Sequence, residues 1–226
     1  MSQVILALVG SGEFTDAMLD VDQFLLSQID SPKVAIIPTA AGEEKAFPKW
    51  IEDGVKHFKK MGAMVDGVNL ISREDSKDPK ILKQLEEFNF YYFSGGNPDY
   101  LLKVLKGSKA WDLIYNRFKN GAVLAGSSAG AMVFGKKVWS KVYDFDKKGV
   151  LVPWEKGLGV VDFGVLPHFN TIRNYFNEEQ IKKMESNYPK DINILGIDED
   201  TAYINTEGKW SVLGKGKVHH PIHELS

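Results

Sequence analysis

The chain of 226 residues reads as an α/β protein, a three-layer sandwich with a mostly parallel central sheet. Three observations carry that reading. Continuous apolar runs at 4–9, 34–37, 90–93 and 122–125 have the length and composition of strands buried on both faces. Segments of helical period lie between them, so strand and helix alternate as in parallel sheets with helices on either side. Each run also ends in small or turn-forming residues, and ligands of such sheets sit outside the carboxyl ends of the strands.

The first strand, VILALV at 4–9, turns at Gly10-Ser11-Gly12-Glu13. Gly10-x-Gly12 resembles the start of a phosphate loop, but neither a third glycine nor Gly-Lys-Ser/Thr follows, so a strand-end turn is expected. A helix over 15–27 carries Met18, Leu19, Phe24, Leu25 and Leu26 on its apolar side. The second strand, 34–37, stops at Pro38 and leads into Thr39-Ala40-Ala41-Gly42. A second helix over 47–61 presents Trp50, Ile51, Val55 and Phe58 and is ended by Gly62. His57 lies on it beside Lys56, close to Lys59, and is expected at the solvated surface. A third strand is expected over 64–71 and a third helix over 79–88.

The fourth strand, 90–93, runs into Ser94-Gly95-Gly96-Asn97-Pro98-Asp99. Paired glycines let backbone N–H groups approach a ligand closely. The plainer reading is a strand-to-helix turn with Asn97 or Asp99 as helix cap. Helices from residue 100 and over 110–118 then precede the stretch around which the chain is organised, AVLAGSSAGAMVFG at 122–135. It combines a buried-type strand, a G-x-S-x-G turn at Gly126, Ser128 and Gly130, and an Ala/Gly-rich helix start. A bare turn would fit too, but this context is that of a nucleophile elbow, in which the middle serine stands clear of the sheet. Ala129 N–H, at the helix N-terminus, is then placed for an oxyanion. Ser127 lies off the middle of the motif and is the weaker candidate.

A serine hydroxyl needs a base. Of the five histidines, His168 alone follows an apolar strand and opens a loop, in Pro167-His168-Phe169-Asn170. The base needs an orienting carboxylate. Glu199 and Asp198 end the strand at 194–197, while Asp144 and Asp146 follow the elbow; Glu199 is preferred. Residues 136–155 mix charges with aromatics and read as loops and short strands, a candidate flap. Residues 157–161 and 163–166 look strand-like, a helix is expected over 178–187, and 201–204, 210–213 and 217–219 look like a closing antiparallel set. No linker or repeat divides the chain, so 1–226 is expected to be one domain.

Composition narrows the function. With a net charge of −2 and no basic-aromatic run, nothing favours nucleic acid or an anionic membrane. The absence of cysteine excludes disulfides, thiolate metal sites and a cysteine nucleophile. His219-His220-x-x-His223 is the one histidine cluster, with only Glu224 nearby, so neither metal nor other cofactor is expected. No basic region leads into a long apolar core near the start and no run reaches spanning length, so a cytoplasmic protein is expected.

Taken jointly, Gly95-Gly96-Asn97, Gly126-Ser127-Ser128-Ala129-Gly130-Ala131, Gly157-Leu158-Gly159, Pro167-His168-Phe169 and Gly196-Ile197-Asp198-Glu199-Asp200-Thr201-Ala202 resemble the serine peptidase family that contains dipeptidase E and cyanophycinase. The resemblance covers most of the chain. It implies a class I glutamine-amidotransferase-like, flavodoxin-like fold in which serine replaces cysteine. It implies Ser128 as nucleophile, His168 as general base, and Gly96 and Ala129 as oxyanion donors. The cyanophycinase-like pattern makes Glu199 the third member, whereas the dipeptidase-like pattern points to an aspartate near Asp144. Family members cleave next to aspartyl residues. Cyanophycinases typically carry Asp-Gln before the histidine and several arginines after it; Leu166-Pro167 and the lone nearby Arg173 argue against cyanophycin itself. Asn97 and Arg173 are the candidate substrate contacts, Arg173 through a substrate carboxylate. The expected activity is serine-type hydrolysis of short peptides, with aspartyl dipeptides as the implied class. An esterase on the same elbow and a non-catalytic relative are the rivals, the former lacking a His-Gly-Gly oxyanion motif. The expected partner is a small peptide, not nucleic acid or membrane; a homodimer is left open.

Overall fold

The computed structural model describes residues 4–141 and 153–220. Strands β1 (Ile5–Val9), β2 (Lys33–Ile37), β3 (Met64–Gly67), β4 (Phe90–Phe93) and β5 (Val123–Ser127) form the parallel part of the central sheet. The hairpin β10 (Thr201–Thr206) and β11 (Lys209–Gly214) extends it antiparallel beside β1, in the order β11-β10-β1-β5-β4-β2-β3. Helices α1 (Leu19–Ser27), α2 (Phe47–Lys60), α3 (Pro79–Leu85), α4 (Pro98–Leu105) and α5 (Lys109–Lys119) fill the crossovers, and α6 (Ala129–Phe134) follows β5.

Strand alternation builds the two cores. Leu6, Leu8, Ala35, Ile37, Tyr91, Phe93 and Leu124 face the α4, α5 and α6 side, with Leu101, Ile114 and Phe134. Ile5, Ala7, Val9, Val34, Ile36, Phe90, Tyr92 and Val123 face the α1 and α2 side, with Leu25 and Phe58. Side chains of period two that are buried on both faces require helices above and below, and three layers result.

Beyond α6 the chain leaves this sheet. Strands β6 (Lys137–Trp139) and β7 (Trp154–Lys156) pair with each other. Strands β8 (Gly164–Leu166) and β9 (Ile194–Ile197) run parallel, and β12 (Val218–His219) joins β9 antiparallel. Helices α7 (Ile172–Tyr175) and α8 (Glu178–Ser186) connect β8 to β9. An Asn177–Gln180 capping box starts α8. Among the described residues no helix is long and apolar enough to cross a membrane.

Five expectations change. Residues 217–219 do not close against the β10–β11 hairpin: Asp198 holds Lys217 N, and β12 pairs with β9 in the short sheet. Residues 157–161 form no strand: Leu158 N, Gly159 N and Val160 N donate to Val133 O, Gly135 O and Phe134 O, so the segment satisfies carbonyls at the end of α6. The third strand stops at Gly67 instead of reaching 71: after Val68 N donates to Ile36 O, Leu70 N turns back to Val68 O and Ile71 N donates to Asp75 Oδ2. The first helix is a 3-10 turn, Asp16–Met18, before α1. His57 is 2 % exposed, not solvated. It lies with Gly54 and Phe58 on the buried side of α2, while Lys56 and Lys59 fall on the exposed side. Of the suggested flap only 136–141 and 153–155 are described, and Asp144, Asp146, His223 and Glu224 lie outside the described residues.

Candidate active site

The turn after β5 is built as a strained elbow. Ser128 adopts φ 49°, ψ −108°, a left-handed backbone that costs a non-glycine residue on the order of 1–3 kcal/mol. Its neighbours must be glycine. A Cβ on Gly126 would lie 2.6 Å from the Gly130 carbonyl carbon, and one on Gly130 would lie 2.8 Å from Phe93 O. The elbow is tied to the adjacent strand by Ser128 N donating to Val9 O at 2.9 Å. Ala129 opens α6, so its N–H belongs to the orphan donors of that helix start.

Ser128 Oγ lies 3.0 Å from His168 Nε2, and His168 Nδ1 lies 2.7 Å from Glu199 Oε1. These three side chains come from β5, β8 and β9, which end at the same edge. His168 itself sits in the left-handed region, φ 54°, with its N–H donating to Gly10 O at 3.3 Å. Glu199 is held through its backbone N–H, which donates to Asn170 Oδ1 at 2.9 Å. Carboxylate, imidazole and hydroxyl thus form one line in which the Nδ1 proton is fixed toward Glu199 and Nε2 is left to accept from Ser128.

Asp198, the neighbouring acid, is engaged elsewhere. It accepts from Lys217 N and stands 2.9 Å from His219 Nε2, so it anchors the short sheet of β8, β9 and β12. His219 is thereby a structural partner of Asp198. Among the described residues no group of three or more His, Asp or Glu side chains is arranged to hold a metal.

Gly96 borders the cavity in front of Ser128, with φ 136° and no room for a Cβ, which would lie 2.6 Å from Ala40 O. Asn97 does not line that cavity. Its Oδ1 accepts from Asp99 N and Tyr100 N and caps α4, while its N–H donates to Ala40 O. Arg173 lies in α7, whose Ile172 and Tyr175 do line the cavity.

One acid escaped sequence reasoning. Glu13, in the turn after β1, accepts from Gly95 N through Oε1 at 2.7 Å and from Ser127 Oγ through Oε2 at 2.6 Å. It ties the Gly95-Gly96 turn to the elbow and gives the buried Ser127 hydroxyl its acceptor. The available signal was position: Glu13 ends the turn at the carboxyl edge of β1, the strand beside β5. Behind it, His57 Nε2 is 2.8 Å from the fully buried Asp22. Burial raises the Asp22 carboxyl above its ordinary value, against the pull of the His57 bond. Burial likewise pushes the Tyr92 phenol well up, with Asp22 and Glu13 adding to the shift.

The same architecture occurs in known peptidases. A crystal structure of a peptidase from an acI-B1 actinobacterium superposes with a TM-score of 0.85 at 30% identity, over 99% of this chain and 93% of that one. The uncharacterized peptidase Lin0382 of Listeria innocua is 31% identical over 195 residues, covering 85% of this chain and 90% of its own length. The uncharacterized peptidase Lmo0363 of Listeria monocytogenes is 32% identical over 146 residues, 64% of this chain and 69% of that protein. The family model of peptidase family S51 matches residues 6–213, nearly the whole span that holds the elbow, His168 and Glu199, and the chain belongs to that family.

Proposed function

We propose that the chain is a serine-type peptidase that hydrolyses short peptides through an acyl-enzyme. The observation that carries the reading is the line from Glu199 through His168 to Ser128, with the serine raised on a strained elbow. Ser128 Oγ attacks the scissile carbonyl as His168 Nε2 takes its proton, and Glu199 holds the imidazole in the accepting tautomer and offsets its developing charge. The N–H groups of Gly96 and Ala129 receive the oxyanion. His168 returns the proton to the leaving amine, the C–N bond breaks, and water, deprotonated by the same base, releases the acyl group from Ser128. Arg173 is assigned to a carboxylate of the substrate, and the compact cavity suits peptides of a few residues.

The test is intact-mass labelling with a small sulfonyl fluoride, on wild type and Ser128→Ala. One adduct on wild type and none on the variant is expected, together with hydrolysis of short peptides by wild type alone. Peptide hydrolysis that survives in Ser128→Ala would sink the mechanism.

A further inference from the structure

Immediately in front of Ser128 lies a cavity of about 280 Å³, at the small end of sites that hold low-molecular-weight ligands, ~300–1,000 Å³. Its wall is apolar: Pro98, Met132, Trp139, Ile172, Tyr175 and Phe176. Met132, Trp139, Ile172 and Phe176 are nearly buried, so this is a formed pocket and not a scatter of surface residues. Trp139 and Phe176 close one side edge to face, ring centres 5.9 Å apart. Tyr175 is 59% exposed and stands edge-on to His168 at 6.3 Å, at the mouth. The polar side-chain groups on the described wall are the Tyr175 hydroxyl, the Trp139 indole N–H, and Ser128 and His168, the reacting groups themselves.

From this wall, and resting on the serine-peptidase reading above, we infer that the enzyme selects peptides with a large apolar or aromatic side chain next to the scissile bond, not an aspartyl one. A leucyl or phenylalanyl side chain placed there exchanges water for six apolar neighbours. An aspartate carboxylate placed there surrenders its hydration and meets hydrocarbon, which raises its barrier to entry. Specificity follows from differential binding of the two in the transition state. The acidic preference implied by the family resemblance is therefore not carried by the described wall of this pocket.

A dipeptide matrix with Phe, Leu, Asp and Lys at each flanking position tests this, run beside methanesulfonyl fluoride labelling of Ser128. Peptides with Phe or Leu at one flank should exceed their Asp counterparts by more than tenfold in kcat/KM. Met132→Ala should erode that preference mainly through KM. Ile172→Arg should turn the preference toward Asp; should it misfold, Met132→Ala and the matrix decide alone. Normal labelling with Asp peptides equal or better overturns the specificity and leaves the serine mechanism standing. Absent labelling and absent cleavage overturn the mechanism, and the specificity with it.

Discussion

Replacing Glu199 separates a working relay from a row of polar side chains that happen to touch. When Ser128 yields its proton, His168 becomes a cation whose Nδ1 lies 2.7 Å from Glu199 Oε1. The two side chains are 33% and 32% exposed, so their attraction falls between the limits for water and for a protein surface. For charges about 4 Å apart those limits are about 1 kcal/mol at a dielectric of ~80 and about 4 kcal/mol at ~20. At about 1.36 kcal/mol per decade, loss of the charge slows acylation by about 5-fold to about 900-fold. Glu199→Gln adds a second defect. Its amide can donate to Nδ1, which forces the remaining proton onto Nε2, where it faces Ser128 and blocks acceptance; the corresponding change in a Ser-His-Asp triad costs about 10⁴. Glu199→Ala leaves Nδ1–H to water and keeps the useful tautomer accessible. The expected order is therefore wild type, then Ala, then Gln. The assay is the second-order rate of sulfonyl fluoride labelling followed by intact mass, with near-UV circular dichroism to establish the fold. A folded Glu199→Gln that labels within twofold of wild type refutes the reasoning, and a Gln variant tenfold faster than Ala shows that the hydrogen bond matters and the charge does not.

Glu13→Ala leaves Gly95 N–H and the buried Ser127 hydroxyl without their acceptor, at about 1–3 kcal/mol for each buried group, and loosens the oxyanion turn. Labelling should slow about tenfold, part of the ~10²–10³ that loss of a whole oxyanion donor costs, and Glu13→Gln, which can still accept from Gly95, should recover most of it. Gly96→Ala meets both a φ of 136° and Ala40 O at 2.6 Å; Tm should fall, and labelling should drop by at least tenfold at temperatures where the protein remains folded. The buried Asp22 predicts a pH signature. Its folded pKa is raised, so its contribution is fully present below the unfolded value near 3.8 and is lost as pH rises through the folded one. Urea unfolding of wild type against Asp22→Asn should show the stability difference moving against wild type from about pH 4 upward; a constant difference would mean that the His57 bond cancels the cost of burial.

The legible parts of the fold were those written in local pattern. Residues 4–9 and 122–127 announce buried parallel strands because both faces are apolar, and Gly126 and Gly130 announce the elbow because no other residue fits there. Glu199 could be preferred over Asp198 only weakly, since two adjacent carboxylates are separated by which way each points, and that is decided by Lys217 and His219 returning from the last strand. His57 was misread because its lysine neighbours signal solvent while its own face of α2 meets Asp22 on α1, a contact 35 residues away. Glu13 is a loop residue whose two partners lie 82 and 114 residues on, and only its place at the end of the turn after β1 marks it. Residues 157–161 look like a strand by composition, yet their N–H groups serve the end of α6. In each case the missing information was a long-range partner.

The proposed triad spans a seam, and that explains the demand for glycine at position 10. Ser128 and Glu13 stand on the central sheet, whereas His168 and Glu199 stand on the short sheet of β8, β9 and β12. A reacting geometry good to a few tenths of an ångström needs the two sheets locked to each other. Gly10, at the end of β1, contributes to that lock with its backbone: its N–H donates to Thr201 O within the central sheet, and its carbonyl accepts from His168 N across the seam. A Cβ there would lie 2.0 Å from Asp198 O and 2.6 Å from Ile197 O, so any side chain would drive β9 and Glu199 away from the elbow. Gly10-x-Gly12, which reads as the start of a phosphate loop, is thus accounted for by close approach of backbone at Gly10, and by a φ of 88° and the Asp200 carboxylate at Gly12. The same contact sets His168 into its left-handed conformation at the end of β8, where its ring reaches Ser128 on one side and Glu199 on the other. The close contact at Gly10 lets Ser128 and His168 come from different sheets and still meet at hydrogen-bond distance.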